Sequence, residues 1–321
     1  MKIVFAGAGP FGLPALEALA EEREVRILKV YTKPDRPKGR GRVKSPTQVG
    51  EAAARLGLPL SKPESLREVE EELKELKPDI LLVVDYGEIV PDSILKIPEI
   101  GPFNIHGSLL PRWRGAAPSA WAVKAGDTES GVTIFRLVKK LDAGPILCQK
   151  RVPILPDDTA ETLEKRLAEV GALLLLEALP RLRSGDFTLK EQDPALVTFA
   201  PKLKKQDGLI RWEEPAASVE RHIRAMQPWP RAVSFLQRRV GEPLRVIFLR
   251  VTPLEERPEG VQPGTVVSVG KDGFKVACGR GAVEVKRLQP AGKRPMEASE
   301  FLRGHRIEPG DRFSAEAPEG F

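Results

Sequence analysis

The sequence predicts an α/β fold with a doubly wound, mostly parallel sheet, followed by a small C-terminal β-barrel of the OB (oligonucleotide-binding) type. Over residues 1–190, apolar strand-like runs alternate with amphipathic helices, the pattern of a parallel sheet covered on both faces. This pattern stops between residues 191 and 207, where lysines and prolines predict a basic linker. From 208 to 321 short β-rich runs follow one another between Gly and Pro, as in a small barrel.

The elements of the first domain follow from apolar spacing. Strands are short apolar runs, whereas helices repeat an apolar face every three or four residues. Strands are predicted at 2–6, 25–31, 79–84 and 103–106, a hairpin at 132–138 and 145–152, and helices at 14–21, 47–56, 66–76, 117–124 and from a capping box at 158–161 to about 182.

The second domain has shorter elements. Five short strands in about a hundred residues are the usual content of an OB barrel. The strands are predicted at 232–238, 244–251, 264–269, 274–278 and 281–287, and helices at 216–226 and 297–303.

A polar stretch at residues 33–44 interrupts the first domain. It carries six Lys or Arg residues against one acid, and Pro and Gly break it repeatedly. This composition predicts an exposed, mobile loop that is neither helix nor strand. A flexible loop of net charge +5 can contact a phosphate backbone, although a solvated connection is the alternative.

Composition sets wider limits. The formal net charge of +6 and the pI of about 9.3 agree with a polyanionic partner without requiring one. Cys148 and Cys278 lie far apart, with no Cys or His at metal-ligand spacing, so neither a disulfide framework nor a metal site is expected. The chain begins directly with an apolar strand and has no 18-residue apolar run, which predicts a cytoplasmic protein.

The first turn, Gly7-Ala8-Gly9-Pro10-Phe11-Gly12, matches the G-x-G-x-x-G pattern of a dinucleotide site, between a predicted strand and a predicted helix. Such a site needs an acid about 20 residues later for the ribose, and Thr32 and Lys33 stand there instead. An NADP-dependent oxidoreductase is therefore an open alternative, with Lys33 and Arg36 favouring NADP over NAD.

The stretch at residues 103–118 carries the chemistry. Asn104 is the only asparagine in the chain and His106 is one of three histidines. At strand spacing both point to one face, next to Gly107, where the strand ends. Ligands of open α/β sheets bind at this end, and an amide and an imidazole can there stabilise an oxyanion and carry a proton. The alternative is that both residues merely end the strand with hydrogen bonds to the following loop. The Pro, Gly, Arg and Trp residues of that loop favour a binding wall over a plain connection.

These residues resemble a known family. The runs 104–111, 114–118 and Leu141-Asp142-Ala143-Gly144 resemble the active-site signature of the 10-formyltetrahydrofolate-dependent formyltransferases. The motifs at 34–41, 227–230 and 288–293 fit the members that act on initiator methionyl-tRNA. The chain departs from the family in its Gly7–Gly12 turn, where a Thr-Pro turn is usual, and in Asp85, which replaces an alanine.

The resemblance implies a set of site residues. The implied catalytic residues are Asn104, His106 and Asp142. The implied folate-binding residues are Ser108, Leu109, Leu110, Pro111, Tyr86 and Gly87. The implied tRNA-binding residues are Arg36, Lys38, Arg40, Arg42, Lys44, Lys204 and Lys205, and the barrel is expected to hold the tRNA body.

The implied reaction is formyl transfer from 10-formyltetrahydrofolate, a cosubstrate, to the α-amino group of methionine on initiator tRNA. Asn104 and a protonated His106 would hydrogen-bond the oxyanion of a tetrahedral intermediate. Asp142 would pair with His106, favour its charged form and assist proton transfer. No metal, nucleophilic side chain, membrane or obligate protein partner is implied.

Two further alternatives remain besides the oxidoreductase. A formyltransferase acting on a small amine or a sugar nucleotide would share the catalytic signature, but it would not need the basic loop. A non-catalytic RNA-binding module would explain the charge, but not the set of Asn, His and Asp.

Overall fold

The structure is a computed structural model that describes residues 1–38, 43–237, 243–256 and 259–315. It divides into two compact units. The first unit contains Met1–Pro118, Glu129–Ile154 and Thr162–Pro201, and the second contains Ser119–Thr128, Leu155–Glu161 and Lys202–Phe321. Two short segments from within the range predicted for the first domain therefore group with the second unit. Residues 191–201 of the predicted linker group with the first.

The first unit is organised by a seven-stranded sheet. The strands in chain order are β1 (Lys2–Gly7), β2 (Arg26–Tyr31), β3 (Arg36–Lys38), β4 (Val43–Ser45), β5 (Leu60–Ser61), β6 (Ile80–Val84), β7 (Gly101–His106), β8 (Glu129–Arg136) and β9 (Ile146–Pro153). The sheet order is β5-β2-β1-β6-β7-β8-β9. The first five strands of this order run parallel, and β8 and β9 are antiparallel to their neighbours. The prediction of a mostly parallel sheet is confirmed.

The basic stretch contains strands that the sequence analysis did not predict. β3 and β4 pair as a separate antiparallel ribbon, with Arg36 opposite Ser45 and Pro37 opposite Lys44. The expectation of neither helix nor strand was wrong here. Proline interrupts central strands, but in a two-stranded ribbon both strands are edges, and an edge tolerates the missing N–H. Residues 39–42 lie outside the described part of the chain.

Helices and short 3₁₀ turns connect these strands. The helices are α1 (Leu13–Glu21), α2 (Gln48–Arg55), α3 (Glu70–Leu76), α4 (Asp92–Leu95), α5 (Pro118–Ala125) and α6 (Ala160–Ser184). The Thr47 hydroxyl caps α2 by accepting from the Gly50 N–H at 3.0 Å. Lys77, with φ of 46°, ends α3 in the left-handed conformation typical of helix C-termini.

The core of the first unit lies on both faces of the central strands. β1 and β6 are buried almost throughout, as parallel strands covered on both faces must be. Phe5, Leu82 and Phe103 are among the core side chains, each no more than 1% exposed. β7 is thus held between two buried strands, so its last residues have a fixed position.

The second unit is built on an antiparallel sheet. Its elements are α7 (Ala216–Ala225), β10 (Ala232–Leu236), β11 (Leu244–Leu254), β12 (Val266–Val269), β13 (Phe274–Ala277), β14 (Ala282–Pro290), β15 (Met296–Glu297), α8 (Ala298–Gly304) and β16 (Phe313–Ser314). The sheet order is β12-β13-β14-β11-β10-β16, and β15 pairs with β14.

The two ends of this sheet meet. Thr265 and Arg312 form an antiparallel bridge. The Val266 N–H donates to the Asp311 carbonyl and the Phe313 N–H to the Gly264 carbonyl, each at 2.8 Å. The curled sheet therefore closes, which confirms the predicted barrel. Closure satisfies edge strands that would otherwise remain unpaired.

Aromatic side chains fill the barrel. The Trp212 ring contacts Phe248 edge-on, with centroids 5.4 Å apart, and Phe274 stacks on Phe313 at 5.9 Å. The Trp212 indole N–H donates to the Ser234 hydroxyl at 2.9 Å, so its one polar atom is satisfied in the interior.

Candidate functional site

The site begins at the C-terminal end of β7. Asn104 pairs in register with Val83 of β6 and Phe135 of β8, so neighbouring backbone fixes it on both sides. Among the described residues, its Oδ1 is buried and has no hydrogen-bond partner. Buried polar atoms are nearly always satisfied, and an exception at a sheet's C-terminal end indicates that a ligand supplies the partner.

His106 ends the same strand and is 8% exposed. Its Nε2 lies 2.9 Å from the Trp113 carbonyl oxygen. A carbonyl only accepts, so Nε2 carries a proton and donates it, which fixes the orientation of the ring. Nδ1 lies 3.9 Å from Oδ2 of Asp142, longer than a hydrogen bond. Nδ1 is thus the ring nitrogen left to exchange a proton.

Asp142 lies in the turn between β8 and β9. Its Oδ2 accepts from the Gly115 N–H at 2.7 Å, and its side chain is 13% exposed. Its φ of 45° is unusual for a residue with a side chain. The structure therefore brings His106 and Asp142 together across some 36 residues of chain, and it places Asn104 two residues before His106. Their catalytic roles remain predictions.

A segment that the sequence analysis missed holds this arrangement together. We call residues 190–200 the clasp. Lys190 exchanges two backbone hydrogen bonds with Ile146, at 2.7 and 2.8 Å. Thr198 accepts from the Arg114 N–H at 2.9 Å, and the Ala200 N–H donates to the Arg114 carbonyl at 2.7 Å. The clasp joins the loop after β7 to the β8–β9 turn. No apolar periodicity marks it, because backbone hydrogen bonds can be made by any residue.

The close fit between clasp and loop leaves no room at Gly115. Its φ is 124°, and a Cβ there would lie 2.5 Å from the Ala200 carbonyl oxygen. Only glycine satisfies both the backbone angle and the contact. The N–H that binds Asp142 is therefore placed by the clasp.

The predicted folate-binding loop, Ser108–Pro111, is tied to β8 and β9. Thr133 donates its hydroxyl to the Ser108 carbonyl at 2.6 Å and accepts from the Leu110 N–H at 3.0 Å. Gln149 donates to the Leu110 carbonyl at 2.9 Å. The Ser108 and Leu110 side chains are buried, whereas Leu109 and Pro111 are partly exposed. The first pair shapes the loop, and the second pair can contact a ligand.

Tyr86 and Gly87, also predicted to bind folate, follow β6. Tyr86 is 2% exposed, and within the described ranges its hydroxyl has no hydrogen-bond partner. The Lys33 ammonium lies 4.4 Å from the centre of its ring and pairs with Glu88. Burial, with the nearby Glu88 charge, raises the pKa of Tyr86 well above its usual range, so the hydroxyl stays protonated. It can therefore donate to a ligand.

The Asp85 carboxylate lies against the Gly7–Gly12 turn, where a dinucleotide would place its pyrophosphate. The Ala8 and Gly9 N–H groups donate to the Asp85 carbonyl, and the Phe11 N–H bonds to the Asp85 carboxylate. A Cβ on Gly9 would lie 1.7 Å from that carboxylate. Asp85 as a whole residue is exposed, but its carboxyl group is desolvated. This desolvation raises the pKa of Asp85 to about 6. A phosphate would meet a like charge here, which disfavours the dinucleotide alternative.

Among the residues predicted to bind tRNA, those whose side chains the structure describes are exposed cations. Arg36 pairs with Glu64 at 3.0 Å, and both side chains are largely exposed. Such a pair contributes about 0–1 kcal/mol and can be exchanged for a phosphate. Lys44, Lys204 and Lys205 are exposed. Arg40, Arg42 and the side chain of Lys38 lie outside the described residues.

Two features are absent from the described ranges. None of their helices is long and apolar enough to cross a membrane. They contain no group of three or more His, Cys, Asp or Glu side chains that could hold a metal ion.

Comparison with known proteins relates both units to one family. The formyl transferase family model matches residues 1–179, and the model for the C-terminal domain of formyl transferases matches residues 202–306. The methionyl-tRNA formyltransferase of Methylococcus capsulatus is 44% identical over 309 residues, covering 96% of this chain and 98% of its own. That of Trichlorobacter lovleyi is 41% identical over 307 residues, covering 95% and 94%.

A solved structure shares the fold. An N-formyltransferase from Helicobacter canadensis, crystallised with folinic acid and dTDP-3-aminofucose, superposes with a TM-score of 0.65 at 18% identity, covering 89% of this chain and 98% of its own.

Proposed function

Because the chain belongs to the family of methionyl-tRNA formyltransferases, we propose that it transfers the formyl group of 10-formyltetrahydrofolate to the α-amino group of methionine on initiator tRNA. One observation supports this site most strongly. The Nδ1 atom of His106 faces the Asp142 carboxylate at 3.9 Å, and two residues before His106 lies Asn104, whose amide oxygen is buried and has no partner among the described residues. This set can stabilise an oxyanion and move a proton, which are the two requirements of acyl transfer between nitrogens.

The oxyanion forms when the neutral amine attacks the formyl carbon. We assign donation to this oxygen to the Asn104 amide NH2 group at the end of β7. The Asn104 Oδ1, which has no partner among the described residues, is an acceptor and is free to bind an N–H of a substrate. His106 contributes through Nδ1, because Nε2 is held by the Trp113 carbonyl. Nδ1 donates in the charged form of the ring, and the Asp142 carboxylate, 3.9 Å away, would attract the positive charge of that form.

The proton balance closes within the two substrates. The bond between the formyl carbon and the methionine nitrogen forms, and the bond between the formyl carbon and N10 of the folate breaks. The methionine nitrogen loses one proton and N10 gains one. We assign this transfer to the His106 and Asp142 pair, directly or through water, because Nδ1 can give up its proton while Nε2 keeps the ring in place.

The folate would occupy the edge of the sheet formed by the ends of β6 and β7. The candidate contacts are Ser108, Leu109, Leu110, Pro111, Tyr86 and Gly87. Leu109 and Pro111 are the partly exposed side chains of the loop, and the Tyr86 hydroxyl is a buried donor that lacks a partner in the described part of the protein. These features fit a flat, polar heterocycle with an apolar surface.

The tRNA would be held by cations that contact its phosphates. Arg36, Lys38, Arg40, Arg42 and Lys44 would bind the acceptor end, and Lys204, Lys205 and the barrel at 208–321 would bind the body. A polyanion releases counterions when such side chains neutralise its phosphates. Since tRNA and folate are cytoplasmic substrates, we propose that the enzyme acts there.

A transfer assay tests this function. Labelled 10-formyltetrahydrofolate is incubated with the enzyme and charged initiator methionyl-tRNA, and formyl-methionine is measured after hydrolysis of the ester. Parallel reactions contain uncharged tRNA, a small amine or an amino-sugar nucleotide. We expect product only with the charged tRNA. Transfer to the sugar nucleotide but not to the tRNA would refute the proposal.

A further inference from the structure

We propose that Gln192 is a positioning residue for Asp142, which it holds in a strained turn and connects to the buried cation Arg114. This inference rests on the proposed function, because it concerns how the Asp142 carboxylate is kept in place for catalysis. Gln192 lies in the clasp and is 9% exposed. Its buried position leaves it to act through its neighbours rather than on a substrate.

The Gln192 amide uses all of its hydrogen-bonding capacity. Nε2 donates to the Asp142 carbonyl at 2.8 Å and to the Gly144 carbonyl at 2.7 Å. Oε1 accepts from Nε of Arg114 at 3.0 Å and from its Nη2 at 2.6 Å. An amide has two donors and two acceptor lone pairs, so each is used. A fully satisfied buried network of this kind is rigid.

The turn needs such support. Asp142 has a φ of 45°, a conformation that persists only where the surroundings hold it. The neighbouring Gly144 packs so tightly that a Cβ there would lie 1.8 Å from the Arg136 carbonyl oxygen of β8. Gln192 binds the carbonyl groups on both sides of the turn and thereby fixes the direction of the Asp142 side chain towards His106.

Arg114 adds charge to this support. The residue is 5% exposed, and burial lowers the pKa of its guanidinium, an effect that the Asp142 charge partly offsets. The guanidinium is bonded to the Gln192 oxygen, and the next residue, Gly115, donates its N–H to the Asp142 carboxylate. One glutamine therefore links a buried positive charge, the main chain of the acid and the loop that binds its carboxylate.

The test is a double-mutant cycle in turnover. Gln192→Met removes the four hydrogen bonds at nearly constant volume, and Asp142→Asn removes the charge. We expect Gln192→Met alone to lower kcat by on the order of ten- to a hundredfold with little change in KM, because a misplaced group loses transition-state stabilisation. In the Asp142→Asn background the same substitution should change kcat less than about twofold, since nothing remains to be positioned.

Gln149→Met is the matched control. Gln149 also donates through Nε2 to two acceptors, the Leu110 carbonyl and the Thr133 hydroxyl, but on the predicted folate loop. Gln149→Met should raise the KM for the folate, and its effect on kcat should combine additively with that of Asp142→Asn.

Gln192→Glu is a second variant in case Gln192→Met does not fold. It keeps the acceptor for Arg114 and loses the donor to the turn, so kcat should still fall in a protein that melts normally.

The outcomes separate the two proposals. If Asp142→Asn has the kcat of the unaltered enzyme, the proposed role of Asp142 is wrong. If Asp142→Asn lowers kcat and Gln192→Met lowers it by the same factor in both backgrounds, Gln192 is only structural. Unchanged kcat in both Gln192 variants would also overturn the inference.

Discussion

Replacement of Asn104 by leucine should separate catalysis from stability. The substitution removes the amide and keeps a side chain that branches at the same carbon. If the amide donates to the oxyanion, its loss should lower kcat by about a hundred- to a thousandfold, the range measured for single oxyanion donors. This factor corresponds to about 2.7–4 kcal/mol of transition-state stabilisation. KM for the folate should change little, because the interaction is made only in the transition state.

Although Asn104→Leu should lower kcat, the structure predicts that it raises the stability of the folded protein. In the free protein the buried Asn104 oxygen has no hydrogen-bond partner among the described residues. Such an atom costs about 1–3 kcal/mol, and leucine removes this cost. For a unit of this size, Met1–Pro118, Glu129–Ile154 and Thr162–Pro201, each kcal/mol raises Tm by about 2–4 °C. We therefore expect the variant to melt a few degrees higher than the unaltered enzyme.

The two expectations are measured by formyl transfer at saturating substrates and by thermal unfolding of the same preparations. Ser130→Ala is the control. Within the described ranges the Ser130 hydroxyl is also buried and without a partner, but no catalytic role is predicted for it. This variant should gain stability and keep its kcat. A lower Tm for Asn104→Leu, together with equal losses in kcat and folate affinity, would refute the reasoning and make Asn104 a structural residue.

Three further predictions concern charge. The pKa of Asp85 is raised to about 6 from 3.8, so the folded protein binds this proton more tightly than the unfolded chain and its stability falls as pH rises through this window. Calorimetry should therefore show that Asp85→Asn raises Tm at pH 7.5 but not at pH 4. Burial lowers the pKa of His222 to about 4 from 6.5, so stability is lost as pH falls through that window; His222→Gln should flatten this acid limb, and an unchanged limb would contradict it. Arg36→Ala should lower the slope of log affinity for tRNA against log salt by about one, whereas Arg55→Ala, which breaks a similar exposed pair with Glu17, should leave the slope unchanged.

The sequence was sufficient to predict the fold where burial leaves a periodic pattern. β6 is buried at every position, and the short β-rich runs that predicted β11 and β14 contain buried apolar residues of both strands. The two-residue strands β5, β15 and β16 are too short to carry any periodicity. The β3 and β4 ribbon was missed because its composition is set by charge, and a backbone ladder needs no apolar face.

The site was predictable in part for a different reason. Asn104 and His106 are scarce residue types at strand spacing, so the sequence marks them. The partner of His106 depends on a turn 36 residues away, and only the family resemblance indicated Asp142. The clasp could not be predicted at all. Gln192 acts through hydrogen bonds to main-chain carbonyls and one guanidinium, and a lone glutamine in an irregular segment has no distinguishing pattern.

The closure of the barrel has a consequence for biosynthesis. The bridge that joins its two edges uses Thr265 and Arg312, and β16, at Phe313–Ser314, is the last strand in chain order among the described residues. While the ribosome is still adding these residues, β10 and β12 present unpaired edges, because their neighbours do not yet exist. The nascent barrel is therefore exposed to wrong strand pairing until β16 has been synthesised. A chain truncated before Arg312 would have a permanently open sheet, which should be a target for chaperones and proteases.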